Sequence, residues 1–356
     1  SKGTLDIDLA ANVSGGAVDI KTGTDATAVT TRTGSRADVD AFYLNETLSL
    51  DGSGDVVVTR ADTITIDASG DLGVDGAGDP LTGTLEVTTK DNASVDVYTG
   101  TNNTTVNSDG GSSEAEVFAG QMVDDTQLTL DGSSDFVVTE VQADIDAKQT
   151  FDSVDITTAS GGIADGELLV EAGTARTVVT GSASGDEITV DGAKLDEGTQ
   201  KSLIVDGSGD FVVNNIGKDV TVDADGDASD ADVALSGTLV VDTDAGAKNV
   251  EILTGSNTTT VDTQTVTSGG DVTVEALALA DDTFLNISGD AAATVNDLIV
   301  ELDASAMSDG ALRVNTADSD AAGGDGETTL TVGDTDATVV TAGSGDEITV
   351  EAAAMG

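Results

Sequence analysis

Apolar residues alternate with polar ones along most of this chain, in short runs separated by gaps rich in Gly and Asp. The opening Gly3-Thr-Leu-Asp-Ile-Asp-Leu9 alternates with a period of two, the pattern of a half-buried strand. Apolar centres at Leu50, Val58, Ile66 and Val74 step by eight residues, and Val170, Val179 and Ile188 step by nine. Strands of about five residues joined by turns of about four produce such spacings. The gaps hold Asp51-Gly52, Asp75-Gly76, Asp131-Gly132, Asp191-Gly192 and Asp206-Gly207, which are turn signals. No segment sustains a helical period, so the pattern predicts an all-β chain.

One stretch sets the phase of the rest. Leu48-Ser-Leu-Asp51-Gly-Ser-Gly54-Asp55 leads into Val56-Val57-Val58. It returns as Leu128-Thr-Leu-Asp131-Gly-Ser-Ser-Asp135 and as Leu203-Ile-Val-Asp206-Gly-Ser-Gly209-Asp210. A divergent copy is Phe284-Leu-Asn-Ile287-Ser-Gly289-Asp290. The aspartates at 55, 135, 210 and 290 step by 80, 75 and 80 residues, and such regular self-similarity marks a repeat architecture. We divide the chain into β-repeats 1–80, 81–151, 152–233 and 234–309, with a partial repeat at 310–356. The motif due after Gly345-Asp346-Glu-Ile-Thr-Val does not follow, so the expectation is a fragment of a longer polypeptide.

Two architectures accommodate repeats of this length. A β-solenoid (β-roll- or β-helix-like) pairs each strand with one a coil later and buries a narrow interior. Tandem immunoglobulin-like β-sandwiches also fit about 75–80 residues per unit. Sandwiches would carry a large aromatic per core and recognisable linkers; aromatic residues are 2% of this chain, Trp is absent and there is one proline, Pro80. The β-solenoid is the expectation, with each motif marking one corner of a repeating coil.

Composition then limits function. The chain carries 67 acidic and 13 basic residues, a net charge of −54. Nucleic acid is excluded as a partner because phosphate binding needs basic patches. Insertion into a membrane is not expected, since no apolar run approaches the ~18 residues a spanning helix requires. With no Cys and no His, thiol and imidazole nucleophiles, zinc sites and disulfides are removed together. Carboxylate pairs occur throughout the chain and therefore single out no glycosidase centre; an enzyme is not expected.

Much of the acid is Asp beside Gly. Ca2+ takes six to eight oxygens, which a turn supplies from carboxylates and accessible carbonyls. The motif turns make Asp51 and Asp55, Asp131 and Asp135, Asp206 and Asp210, and Asp290 candidate Ca2+ ligands. The alternative role for each is a solvated turn residue.

The sequence Leu-x-Leu-x-Gly-Ser-Gly-Asp-x-Val-Val, followed by Thr63-Ile-Thr-Ile-Asp67 and Leu81-Thr-Gly-Thr-Leu-Glu-Val87, resembles the β-strand repeats of bacterial S-layer proteins and RTX-type calcium-binding surface proteins. The resemblance covers essentially the whole chain and rests on composition and strand grammar. It implies β-roll or solenoid walls, Ca2+ held in Gly/Asp turns, and self-assembly on the cell surface. The family's calcium nonapeptide is not intact. Its nearest matches, Gly181-Ser-Ala-Ser-Gly-Asp186 and Gly343-Ser-Gly-Asp346, add Asp186 and Asp346 to the candidate ligands.

The expected function is therefore a structural component of an extracellular, self-assembling layer or filament on a bacterial cell surface, stabilised by Ca2+. The expected partners are other copies of the chain and cell-surface polysaccharide. The alternative is the stalk of a large calcium-dependent adhesin.

Overall fold

The computed structural model describes residues 5–9, 17–70, 79–108, 114–123, 125–147, 153–163, 167–198, 201–226, 233–244, 249–263, 271–308, 310–317, 327–333, 336–340 and 347–352. The protein is an all-β solenoid with two parallel sheets. The chain forms two compact units, 1–175 and 176–356.

In the first unit, successive strands alternate between the two sheets. Leu48–Gly52 pairs in parallel with Thr27–Thr31 before it and Thr65–Asp67 after it, while Asp55–Ala61 pairs with Arg36–Asp40 and Leu85–Thr89 in the other sheet. Each strand thus hydrogen-bonds to the strand two places away, one coil on. Among the described residues each sheet of this unit has eight strands. The second unit is built the same way, again with eight described strands in each sheet.

The interior is made of stacked side chains. In one sheet of the first unit Leu48, Ile66, Val97, Val117, Val138 and Ile156 lie on successive strands in register, all buried. In the other, Ile20, Val39, Val58, Val87, Val106 and Leu130 do the same. The second unit repeats this with Leu203, Val222, Ile252, Val274, Val295 and Val314. Parallel strands stacked on a thin interior favour β-branched residues, which fill a pleated surface at little cost in rotamer freedom. The core is not entirely small: Phe136 and Phe211 are fully buried at the position that Val56 occupies in the first repeat.

The motif is a corner, and not always the same one. The strand Leu48–Gly52 belongs to the first sheet of its unit and leads into the second; Gln127–Gly132 belongs to the second and leads into the first. Seven strands separate equivalent positions among the described residues, which is three and a half coils. Because the number is odd, successive copies fall on opposite edges of the coil. The same alternation relates Ser202–Gly207 and Phe284–Gly289 in the second unit.

The strand after each corner carries a second recurring feature. Its register slips between Val58 and Ala61, Val138 and Val141, Val213 and Ile216, and Val295 and Leu298. At each slip one non-glycine residue has a left-handed backbone: Arg60, Glu140, Asn215 and Asp297, with φ of 57°, 57°, 58° and 52°. These are β-bulges at equivalent places in every copy, and such bulges bend a strand and end its pairing.

Candidate cation-binding turns

Each corner is pressed against the coil before it. Gly52, Gly132, Gly207 and Gly289 have φ of +96°, +121°, +90° and +97°. A Cβ on these glycines would lie 1.9, 2.1, 2.1 and 1.7 Å from the carbonyl oxygens of Thr31, Ser108, Gly181 and Thr263 respectively. No side chain fits, so glycine is required for both backbone angle and space. The next residue donates its N–H to the same carbonyl: Ser53 to Thr31 at 3.2 Å, Ser133 to Ser108 at 3.0 Å, Ser208 to Gly181 at 2.8 Å and Asp290 to Thr263 at 2.9 Å.

A buried hydroxyl ties most corners together. Thr31 Oγ1 donates to the carbonyls of Asp51 (3.0 Å) and Gly54 (3.1 Å) and accepts from the Gly54 N–H at 3.0 Å. Ser108 Oγ lies 2.9 Å from Ser134 Oγ, and Thr263 Oγ1 donates to the Ser288 carbonyl at 2.7 Å. In the third copy the equivalent residue is Gly181, which has no hydroxyl to offer.

The carboxylates that close the corners reach forward to the next coil. Asp55 Oδ1 accepts from Thr84 N–H (3.0 Å) and Thr84 Oγ1 (2.8 Å). Asp210 Oδ1 accepts from Thr238 N–H and Oγ1, both at 2.7 Å. Asp135 Oδ1 accepts from Ser153 Oγ at 3.0 Å. These are latches between coils, each satisfying a backbone or hydroxyl donor. The recurring Gly83-Thr84-Leu and Gly237-Thr238-Leu segments are the sequence signal for them.

The structure shifts one assignment. Asp290 stands where the other copies have Ser53, Ser133 and Ser208, and Ala292 takes the place of Asp55, opposite Asp271. The fourth corner has therefore lost its closing aspartate. Asp290 Oδ1 instead accepts from Ser308 Oγ, which belongs to the next coil.

The remaining candidates occupy different surroundings. Asp51 Oδ1 is buried and without a hydrogen-bond partner. Asp131 is half-buried opposite Asn107. Asp206 and Asp186 are 6% and 7% exposed, and the Asp186 carbonyl accepts from Asp210 N–H at 2.8 Å. Asp346 lies outside the described residues. Among the described residues no three acidic groups gather as a potential metal site. At Asp55, Asp135 and Asp210 one carboxylate oxygen is already engaged by the next coil.

The sequence reading missed one cluster. The Arg60 guanidinium and Lys90 ammonium each lie 5.0 Å from the centre of the Phe42 ring, which meets Tyr43 edge-on. Arg60 pairs with Asp40 and Lys90 with Asp62 (2.7 Å). The hydrogen bond from Arg60 holds the Asp40 carboxyl below its ordinary 3.8, and that from Lys90 lowers Asp62 likewise. The signal was the placement of two of only 13 basic residues one coil apart.

No family model, curated protein or solved structure matches the chain.

Proposed function

We propose that this chain is a structural segment of an extracellular assembly on a bacterial cell surface, of the S-layer kind, in which copies associate with one another and cations, Ca2+ among them, offset the acidic surface. The observation that carries this reading is the corner repeat. Every three and a half coils the same glycine, bulge and stacked core recur on the opposite edge, so the chain is specified as a regular wall more than as a scaffold for one site. The absence of Cys and His from all 356 residues accords with an exterior location, and Ser- and Thr-rich outer positions suit contact with polysaccharide.

The test is assembly of the purified chain, followed by sedimentation and electron microscopy with Ca2+ and after chelation. Sheets or fibres that dissolve on chelation are expected. A chain that stays monomeric at high concentration in Ca2+ overturns self-assembly and favours the stalk of a calcium-dependent adhesin.

A further inference from the structure

The acidic residues are concentrated by the fold itself. Neighbouring strands lie about 4.8 Å apart, so each coil advances the stack by about that distance. Unit 1–175 has 7 basic and 32 acidic residues, 7 − 32 = −25, over eight strands per sheet. At that rise it carries one net charge per about 1.5 Å. Unit 176–356 has 6 basic and 35 acidic residues, 6 − 35 = −29, again over eight strands per sheet. Its spacing is about 1.3 Å. Double-stranded DNA, with one charge per about 1.7 Å, already holds a condensed layer of counterions.

The threshold follows from Coulomb's law. Two unit charges in water interact with about the thermal energy at about 7 Å, and charges lined up more closely than this draw cations onto the line. The unfolded chain is far above that spacing. It has 54 net charges over 356 residues, or one per about 22 Å when extended. Coil stacking therefore creates the polyelectrolyte. The ladders show how: Asp19 stands opposite Asp38 and Asp96 opposite Glu116 in the first unit, and Glu187 opposite Asp210 and Asp242 opposite Asp262 in the second. Like charges opposite each other in a sheet repel, and 13 basic residues cannot offset 67 acidic ones.

We infer that each folded unit condenses cations along its coils and binds flexible Lys/Arg-rich polypeptide segments by exchanging those cations for ammonium and guanidinium groups. Binding of this kind follows charge number and needs no pocket or sequence register. It also couples folding to cation uptake without selecting an ion, which is distinct from Ca2+ held at particular turns.

The test uses the full chain and an octalysine peptide, with affinity measured between 50 and 200 mM NaCl. The expected log–log slope approaches −0.7 to −0.9 per lysine, a loss of about 10³- to 10⁴-fold over that range. The thermal midpoint of the chain alone should rise equally with NaCl and KCl, and with Mg2+ and Ca2+ at similar, much lower concentrations. Three results overturn the inference: no binding at 50 mM NaCl, a slope shallower than about −2, or the same binding by the urea-unfolded chain. A midpoint that responds to Ca2+ and ignores Mg2+ also overturns it, while leaving the assembly reading intact.

Discussion

A single glycine shows how strongly one coil constrains the next. Gly52 and Gly34 both have positive φ, +96° and +77°, yet a Cβ at Gly52 would sit 1.9 Å from the Thr31 carbonyl whereas one at Gly34 would meet nothing within 4 Å. Gly34→Ala is expected to cost only the left-handed backbone, about 1 kcal/mol. Gly52→Ala must also push two coils apart, and a loss above about 3 kcal/mol is expected from denaturant unfolding. The carboxylates divide similarly. Asp55→Asn keeps an oxygen facing Thr84 and should cost under about 0.5 kcal/mol, while Asp55→Ala strands the Thr84 donors and should cost about 1–2 kcal/mol. At the Phe42 cluster, NMR titration should find Asp40 below its ordinary 3.8, returning towards it in Arg60→Gln. Because the folded value is depressed, this pair's contribution is present above the ordinary value and disappears as pH falls through the lowered one.

At the scale of the element, the bulge after each corner is the clearest recurring device. Arg60, Glu140, Asn215 and Asp297 all adopt the left-handed backbone, which Asn and Asp tolerate better than Glu. Glu140→Asn, copying the residue of the third repeat, is therefore expected to stabilise the chain by a few tenths to about 1 kcal/mol, read as a rise in thermal midpoint. The strands themselves were legible from alternation alone: Leu48, Leu50, Val56 and Val58 point inward as their spacing implied. The bulges were not, because Arg60, Glu140, Asn215 and Asp297 share no side-chain chemistry. What they share is a position where the strand must stop pairing, and that is a property of the neighbouring coil.

For the whole molecule, the sequence by itself determined that the chain is all-β, that its interior is narrow and β-branched, and that Gly52, Gly132, Gly207 and Gly289 mark turns in a long repeat. These features follow from local chemistry, since alternation reports which face of a strand is buried and glycine reports where backbone must bend. Only the tertiary structure decided that seven strands make a repeat, so that corners alternate between edges. Only the structure showed that Asp55 engages Thr84 while Asp290 takes a serine's place. The reason is that a parallel strand pairs with a neighbour a full coil away, across roughly twenty residues of intervening chain. Local pattern says that a strand exists. The contact between coils decides which strand it meets, which oxygen is engaged, and how closely the charges are stacked.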